Sequence, residues 1–262
     1  MAITNFAQLM EEARRKGPRI VVVAAAHERE VLLAAQDAEK LGLAECILIG
    51  DHSLIRRIAA EDGIDLGRMM VIHEPDPIAA ARKAMELISL GHAQLAMKGK
   101  IETGHFLRAA LDKEVGIRIG KLLTHVGIFE IPGFDRLIFI SDAGVVVAPT
   151  LEEKVAIVQN AIDVAQALGI ECPRVAILAA TEMVNPKLPS TLDAANLSKM
   201  ADRGQIKGGI VDGPLALDNA ISEESARIKG IQSPVAGKAD ILITPDIEAG
   251  NVLAKAITYF AG

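Results

Sequence analysis

Three short stretches carry polar side chains where an apolar run ends and a helical pattern begins: Met97-Lys98-Gly99, Asp212-Gly213-Pro214 and Thr244-Pro245-Asp246. A strand-to-helix corner presents free backbone N–H groups and the positive end of a helix dipole, a setting that suits an anion. Three such corners suggest one phosphate-type site assembled from several strands. At the first, Thr103 offers a hydroxyl and Arg108 a planar fork that matches phosphate oxygens, with Lys98 a further cation. Thr103 and Arg108 stand five positions apart, so the arginine must reach back toward the corner; an exposed arginine and a threonine cap explain the same pair without a ligand. At the second, an apolar strand over Gly209 to Val211 ends in Asp212, the chain turns on Gly213 and Pro214, and a helix opens with Asp218 and Asn219. Capping accounts for Asp212 or Asp218 alone, but with Pro214 and Asn219 they form a polar group able to meet a ligand. At the third, capping accounts for Asp246 and Glu248. Asn251 has no such duty, and Gly250 in the early helix suggests close approach of a ligand or of backbone.

Other chemistries lack their residues. The histidines, His27, His52, His73, His92, His105 and His125, show no HExxH or paired ligand spacing, so no metal site is expected. G-x-S-x-G is absent, and Ser141-Asp142 has no spaced histidine partner. No G-x-G-x-x-G follows a strand, G-x-x-x-x-G-K-[ST] is missing, and Gly116 to Lys121 has the wrong spacing for it. The net charge of −6 without a basic block, and only 3% aromatic residues, argue against nucleic-acid binding. Cys46 and Cys172 are far apart and outside any zinc spacing, which predicts reduced thiols. No signal-peptide pattern and no run of the roughly 18 apolar residues that a spanning helix needs is visible, so a cytoplasmic protein with no membrane partner is expected.

The elements that must position these residues alternate. A helix over Ile3 to Lys16 precedes strands Arg19 to Ala25, Cys46 to Gly50, Met69 to His73 and Ala93 to Met97. Between them lie helices from Glu28 to Leu43, from a cap at Asp51 or Ser53 to Ala60, and from Pro77 to Leu90. Strand–helix alternation implies a parallel sheet with right-handed crossovers. The rhythm changes near Leu122, where Leu122 to Glu130 and Arg136 to Ser141 read as a hairpin. Two α/β domains are therefore expected, 1–121 and 122–262. The second continues with helix Leu151 to Leu168, strand Val175 to Ala180, helix Asp193 to Arg203, strand Ile241 to Thr244 and helix Glu248 to Phe260.

In order, Met97-Lys98-Gly99, Thr103, Phe106-Leu107-Arg108, Gly120 to Val126, Ile140 to Ala143, Asn185-Pro186-Lys187, Arg203 to Gly208, Asp212 to Ile221, Lys229-Gly230-Ile231, Val235-Ala236-Gly237 and Pro245 to Asn251 span nearly the whole chain. In these segments the sequence resembles the phosphate acetyltransferase and phosphate butyryltransferase family, nearer the butyryltransferase branch. The resemblance implies two α/β domains with mostly parallel sheets and an interdomain cleft, of the isocitrate/isopropylmalate dehydrogenase-like kind, and usually a homodimer. It implies reversible transfer of a short acyl group between coenzyme A and phosphate, with coenzyme A as substrate and no cofactor or obligatory metal. By the same resemblance Thr103, Arg108 and Lys98 bind phosphate, and Asp212, Pro214, Asp246 and Asn251 line the substrate site.

The sequence departs from the family pattern at two places. Family members continue past the last helix into a strand and a Ser-Arg segment that helps form the catalytic site, whereas the given sequence ends at Ala261-Gly262. The catalytic residue is thus unassigned, and a non-catalytic acyl-CoA or phosphate-binding protein is the alternative expectation. Val146 stands where the family often has Asn, and Ala143 where acetyl-using members often carry Cys. The smaller Ala143 is expected, on this resemblance, to leave room for a longer acyl chain. An oxidoreductase of the related dehydrogenase type needs paired metal-binding aspartates and a nicotinamide site, and neither is found.

Overall fold

The computed structural model describes residues 2–261, and no helix among them is long and apolar enough to cross a membrane. The chain divides into two compact units, Met10–Gly120 and Met1–Leu9 with Lys121–Gly262. Helix α1 (Phe6–Arg15) carries residues of both.

The first unit, Met10–Gly120, is built on strands β1 (Arg19–Ala24), β2 (Ala44–Gly50), β3 (Met70–His73) and β4 (Leu95–Lys98), all parallel, in the order β3-β2-β1-β4. Its central strands are apolar at nearly every position because both faces are covered. Val22, Ala24 and Ile49 pack on Ala80, Ala81 and Ala84 of α4 (Pro77–Ser89). Val23, Cys46 and Leu48 pack on the other side against α2 (Arg29–Lys40) and α3 (His52–Glu61), through Leu32, Ala35 and Ile55. The α3 cap is Asp51 rather than Ser53, accepting from Leu54 N at 2.9 Å. Asp76 caps α4, with Pro77 in the first turn, where its missing N–H has no helical partner to lose.

In the second unit the order is β5-β6-β9-β7-β8, for β5 (Gly127–Phe129), β6 (Ile138–Ser141), β7 (Arg174–Leu178), β8 (Ile210–Leu215) and β9 (Ile241–Ile243). Only β5–β6 is antiparallel. This is the expected hairpin, with shorter strands. The stretch before β5 is held by a side chain instead: Asn160 of α6 (Leu151–Ala167) donates to Leu122 O and Thr124 Oγ1, both at 3.1 Å. Phe139, Val175, Ile177, Ile241 and Ile243 pack on α6 and on α7 (Pro189–Asp202), through Ile157, Ala161, Ala194 and Leu197. On the other face Ile140, Ala176, Leu215 and Leu242 cover Ala220 of α8 (Leu217–Ile221) and Ala226 of α9 (Glu223–Ile228). The last helix is α10 (Ile247–Phe260).

One expected corner is different. Gly213 and Pro214 do not turn the chain after Asp212; they lie inside β8, which runs on to Leu215, and the helix opens only at Leu217. The β7–β8 register passes from Ala176↔Asp212 to Leu178↔Leu215, so a bulge absorbs the additional residue. Proline gives no ladder N–H, and a bulge on an edge strand tolerates that loss. Gly213 is required there, because a Cβ would come to 2.8 Å from Ile177 O. Helix α7 likewise starts at Pro189 rather than Asp193, with buried Thr191 accepting from Asn185 N at 2.9 Å and donating to Leu188 O at 2.7 Å.

Candidate functional site

In the first unit β2 and β4 flank β1 on opposite sides, so the order of strands reverses between β1 and β4. Parallel sheets bind ligands in the crevice outside the carboxyl ends of strands at such a reversal. The loops after β1 and β4 are stitched together there: Gly99 N donates to Ala24 O at 2.8 Å and Lys100 N to Ala25 O at 2.9 Å. Gly99 is needed for this approach, since a Cβ would fall on the Ala24 and Ala25 carbonyls. The shallow depression that results, about 400 Å³, is lined by Glu28, Lys98, Gly99, Lys100, Ile101 and Glu102.

Lys98 curls over its own corner, donating to Ile101 O at 2.9 Å and Gly99 O at 3.2 Å. Lys100 is exposed. Thr103 opens α5 (Thr103–Ala110), and the preceding Glu102 makes no side-chain cap. Beside Thr103, Gly104 faces open space. Arg108 is exposed on the last turn of α5 and forms no ion pair among the described residues. Five residues of α-helix turn about 140° and rise roughly 7.5 Å, so α5 sets Thr103 and Arg108 on different faces. The helix itself therefore does not gather this predicted pair.

The other predicted residues, Asp212, Pro214, Asp246 and Asn251, lie in the second unit, and most of their polar atoms serve the fold. Asp212 Oδ1 accepts from Gly213 N at 2.8 Å and from Ser198 Oγ at 3.4 Å, and Pro214 is buried. Asp246 caps α10, its Oδ1 accepting from Ala249 N at 2.9 Å. Asn251 has a structural duty after all, donating to Ala143 O at 3.2 Å. What approaches Gly250 is backbone: a Cβ there would fall on Asp142 O. Thr244 Oγ1 binds Asp142 O at 3.1 Å, closing the same joint between β6 and β9.

Asp142, 2% exposed, is the centre of that joint. Its carboxylate takes His125 N at 2.7 Å and Gly144 N and Val145 N at 2.8 Å each. Ser141 Oγ donates to the His125 carbonyl at 2.7 Å, so it is paired with backbone and not with an imidazole.

Sequence reasoning passed over two groups. Glu28, read as the start of a helix, lines the first-unit depression. In the second unit Lys229 lies 3.1 Å from Asp218 and 3.6 Å from Glu182. The hydrogen bond from Lys229 lowers the Asp218 carboxyl below its ordinary value. Glu182 also accepts from buried Asn219 at 3.4 Å, leaving Asn219 Oδ1 buried without a partner among the described residues. The signal available for Glu28 is its place just beyond the carboxyl end of a buried strand. For Glu182, far in sequence from its partners, no local signal exists. Burial pushes the Cys46 thiol up to about 11, so it stays protonated; Cys172 is exposed. No group of three or more His, Cys, Asp or Glu able to hold a metal ion occurs among the described residues.

A solved phosphotransacylase structure shares this architecture of two mostly parallel α/β sheets. The family described as phosphate acetyl/butaryl transferase matches residues 5–81 and 76–262, and the chain belongs to it. The phosphate butyryltransferase of Clostridium acetobutylicum is 51% identical over 98% of this chain and 85% of its own length. The phosphate acetyltransferase of Thermotoga maritima is 48% identical over 97% of this chain and 86% of its own. Among solved structures, a branched-chain phosphotransacylase from Enterococcus faecalis V583 superposes with a TM-score of 0.79 at 31% identity, covering 93% of this chain and 85% of that one.

Proposed function

We infer that the protein moves a short acyl group reversibly between coenzyme A and phosphate, with a butyryl-like chain as the preferred group. The observation that supports this most is the match to named transferases through 98% of the chain. The same breadth counts against the alternative of a binding protein without catalysis. Chemically, the reaction needs the thiol held against the acyl-phosphate carbonyl, its proton removed, and charge on the departing phosphate neutralised.

In this reading phosphate is bound by Thr103, Arg108 and Lys98. The coenzyme A thioester is met by Asp212, Pro214, Asp246 and Asn251, the last two through Asp246 Oδ2 and Asn251 Oδ1, the atoms their structural bonds leave free. Arg108 supports the phosphate assignment best, as an exposed guanidinium with no ion pair among the described residues. The dehydrogenase-like fold type, the homodimer and a cytoplasmic location belong to the same proposal. So does the preference for butyryl over acetyl groups, for which buried Ala143 is the candidate determinant.

The test is release of coenzyme A from butyryl-CoA, followed with a thiol reagent as phosphate is varied. Saturable, phosphate-dependent release is expected. No release with acetyl-, butyryl- or branched five-carbon acyl-CoA would falsify the reading. A butyryl-to-acetyl rate ratio unchanged in Ala143→Cys removes Ala143 from it.

A further inference from the structure

The geometry points to a second binding site in the first unit, for an apolar α-amino acid. It lies at the amino ends of the strands, away from the depression lined by Lys98, and does not depend on the acyl transfer proposed above.

The sheet face that α4 packs on is covered only in part. Val22, Ala24 and Ile49 lie under Ala80, Ala81 and Ala84. Toward the amino ends of the strands the cover thins: Ile20 and Ile47 are half-buried, and Met70 is 60% exposed. Alternation and register put these residues on the same face. Ile20 stands two positions before Val22, Ile47 two before Ile49, and Met70 pairs with Ile47. A parallel sheet ordinarily has both faces covered. Here Ile20, Ile47 and Met70 instead line a cavity of about 510 Å³, all of whose lining residues belong to the first unit. Small-molecule sites run from about 300 to 1,000 Å³ and are mostly apolar with a few polar groups that fix orientation.

Three charged side chains supply those groups: Glu39, Glu45 and Arg68. Glu45 pairs with Ile20 in the β1–β2 register and stands two positions before Ile47, so it shares their face. Arg68 lies in the turn that enters β3, two positions before Met70. Glu45 and Arg68 are exposed and form no ion pair or side-chain hydrogen bond among the described residues. Glu39 of α2 gives Oε1 to Cys46 N at 2.9 Å, which leaves Oε2 for a ligand.

One guanidinium, two carboxylates and an apolar wall define the ligand. The Arg68 fork matches a free carboxylate. Glu45 accepts from an ammonium, with Glu39 Oε2 a second acceptor. An aliphatic or aromatic side chain covers Ile20, Ile47 and Met70. Glu45 is on β2 and Arg68 enters the neighbouring β3, and adjacent strands lie about 4.8 Å apart, so the two side chains can hold both charged groups of one α-carbon. A fatty acid would leave both carboxylates unanswered. A nucleotide would bring several negative charges to two carboxylates and a single cation.

The test is calorimetric titration of the whole chain, without coenzyme A or phosphate, by leucine, phenylalanine and two leucine analogues. One analogue, 4-methylpentanoate, lacks the ammonium; the other, leucinamide, lacks the carboxylate. Saturable binding of leucine or phenylalanine with a Kd of about 1 mM is expected, because exposed charge pairs each contribute little. Each analogue should bind about fivefold more weakly than leucine. Arg68→Gln should weaken leucine about fivefold and leave leucinamide unchanged, while Glu45→Gln should weaken leucine and leave 4-methylpentanoate unchanged. Both positions are exposed, so neither substitution disturbs the fold. This crossed pattern supports the site, since general adsorption to an apolar face would not sort the analogues by variant. Absence of binding by either amino acid up to about 50 mM overturns the proposal. So does binding of both analogues as tight as that of leucine, or wild-type affinity for leucine in both variants.

Discussion

The strand ends of the two units carry similar residues and treat them in opposite ways. In the second unit Asp142, Asp212, Thr244, Asp246 and Asn251 each give at least one polar atom to backbone. In the first unit Glu28, Thr103 and Arg108 have no side-chain hydrogen bond among the described residues, and only Lys98 turns onto backbone. An aspartate or threonine at the carboxyl end of a strand can hold a fold or hold a ligand. Its residue type does not say which; its hydrogen-bond partners do. A group already bonded to backbone offers a substrate only its remaining atoms, while an unpartnered one at a strand-order reversal is wholly free to bind.

The comparison separates most sharply at Asp142. Asp142→Ala leaves three backbone N–H groups without their acceptor in a buried joint. A loss on the order of 4 kcal/mol in unfolding free energy is expected, read by urea titration. A variant as stable as wild type would mean that the joint is not what holds β6 to its neighbours. Next is Asp246→Ala, which removes the α10 cap. About 1 kcal/mol of stability should go with it. A higher KM for butyryl-CoA on top of that loss shows a residue serving both fold and substrate, whereas lost stability with an unchanged KM leaves it a cap alone.

Thr103→Val is the mildest change, because the side chain keeps its shape and loses only a hydroxyl. With no internal partner to abandon, stability should hold. The KM for phosphate should rise about fivefold, equivalent to roughly 1 kcal/mol for one hydrogen bond. A fall in thermal midpoint with phosphate affinity intact would place Thr103 among the structural residues and blur the contrast between the units.

Much of the fold was legible before the structure. Apolar runs such as Val21-Val22-Val23 need cover on both faces, and the polar caps Asp51 and Asp76 mark helix starts, so the parallel sheet of the first unit follows from local pattern. The same logic misled at Gly213-Pro214. Those residues signal a turn, and only the neighbouring strand β7 shows that a bulge absorbs them. The site was legible in residue type but not in duty. Asn251 binds a carbonyl 108 positions away, a contact that no window along the chain contains. Thr103 and Arg108 were paired by their chemistry, and the winding of α5 alone does not bring them together, so the arginine must reach back to a shared phosphate. Glu28 looked like an ordinary helix start until the reversal between β1 and β4 gave its position a meaning.

The central claim is that Arg108, an exposed cation of the first unit without an ion pair among the described residues, receives phosphate. The KM for phosphate in coenzyme A release from butyryl-CoA, compared between wild type and Arg108→Gln, tests it most directly. Loss of a charge-assisted contact to phosphate predicts a KM raised about 30-fold or more, equivalent to some 2 kcal/mol, with the thermal midpoint unmoved. A KM for phosphate equal to wild type in a folded Arg108→Gln would contradict the account.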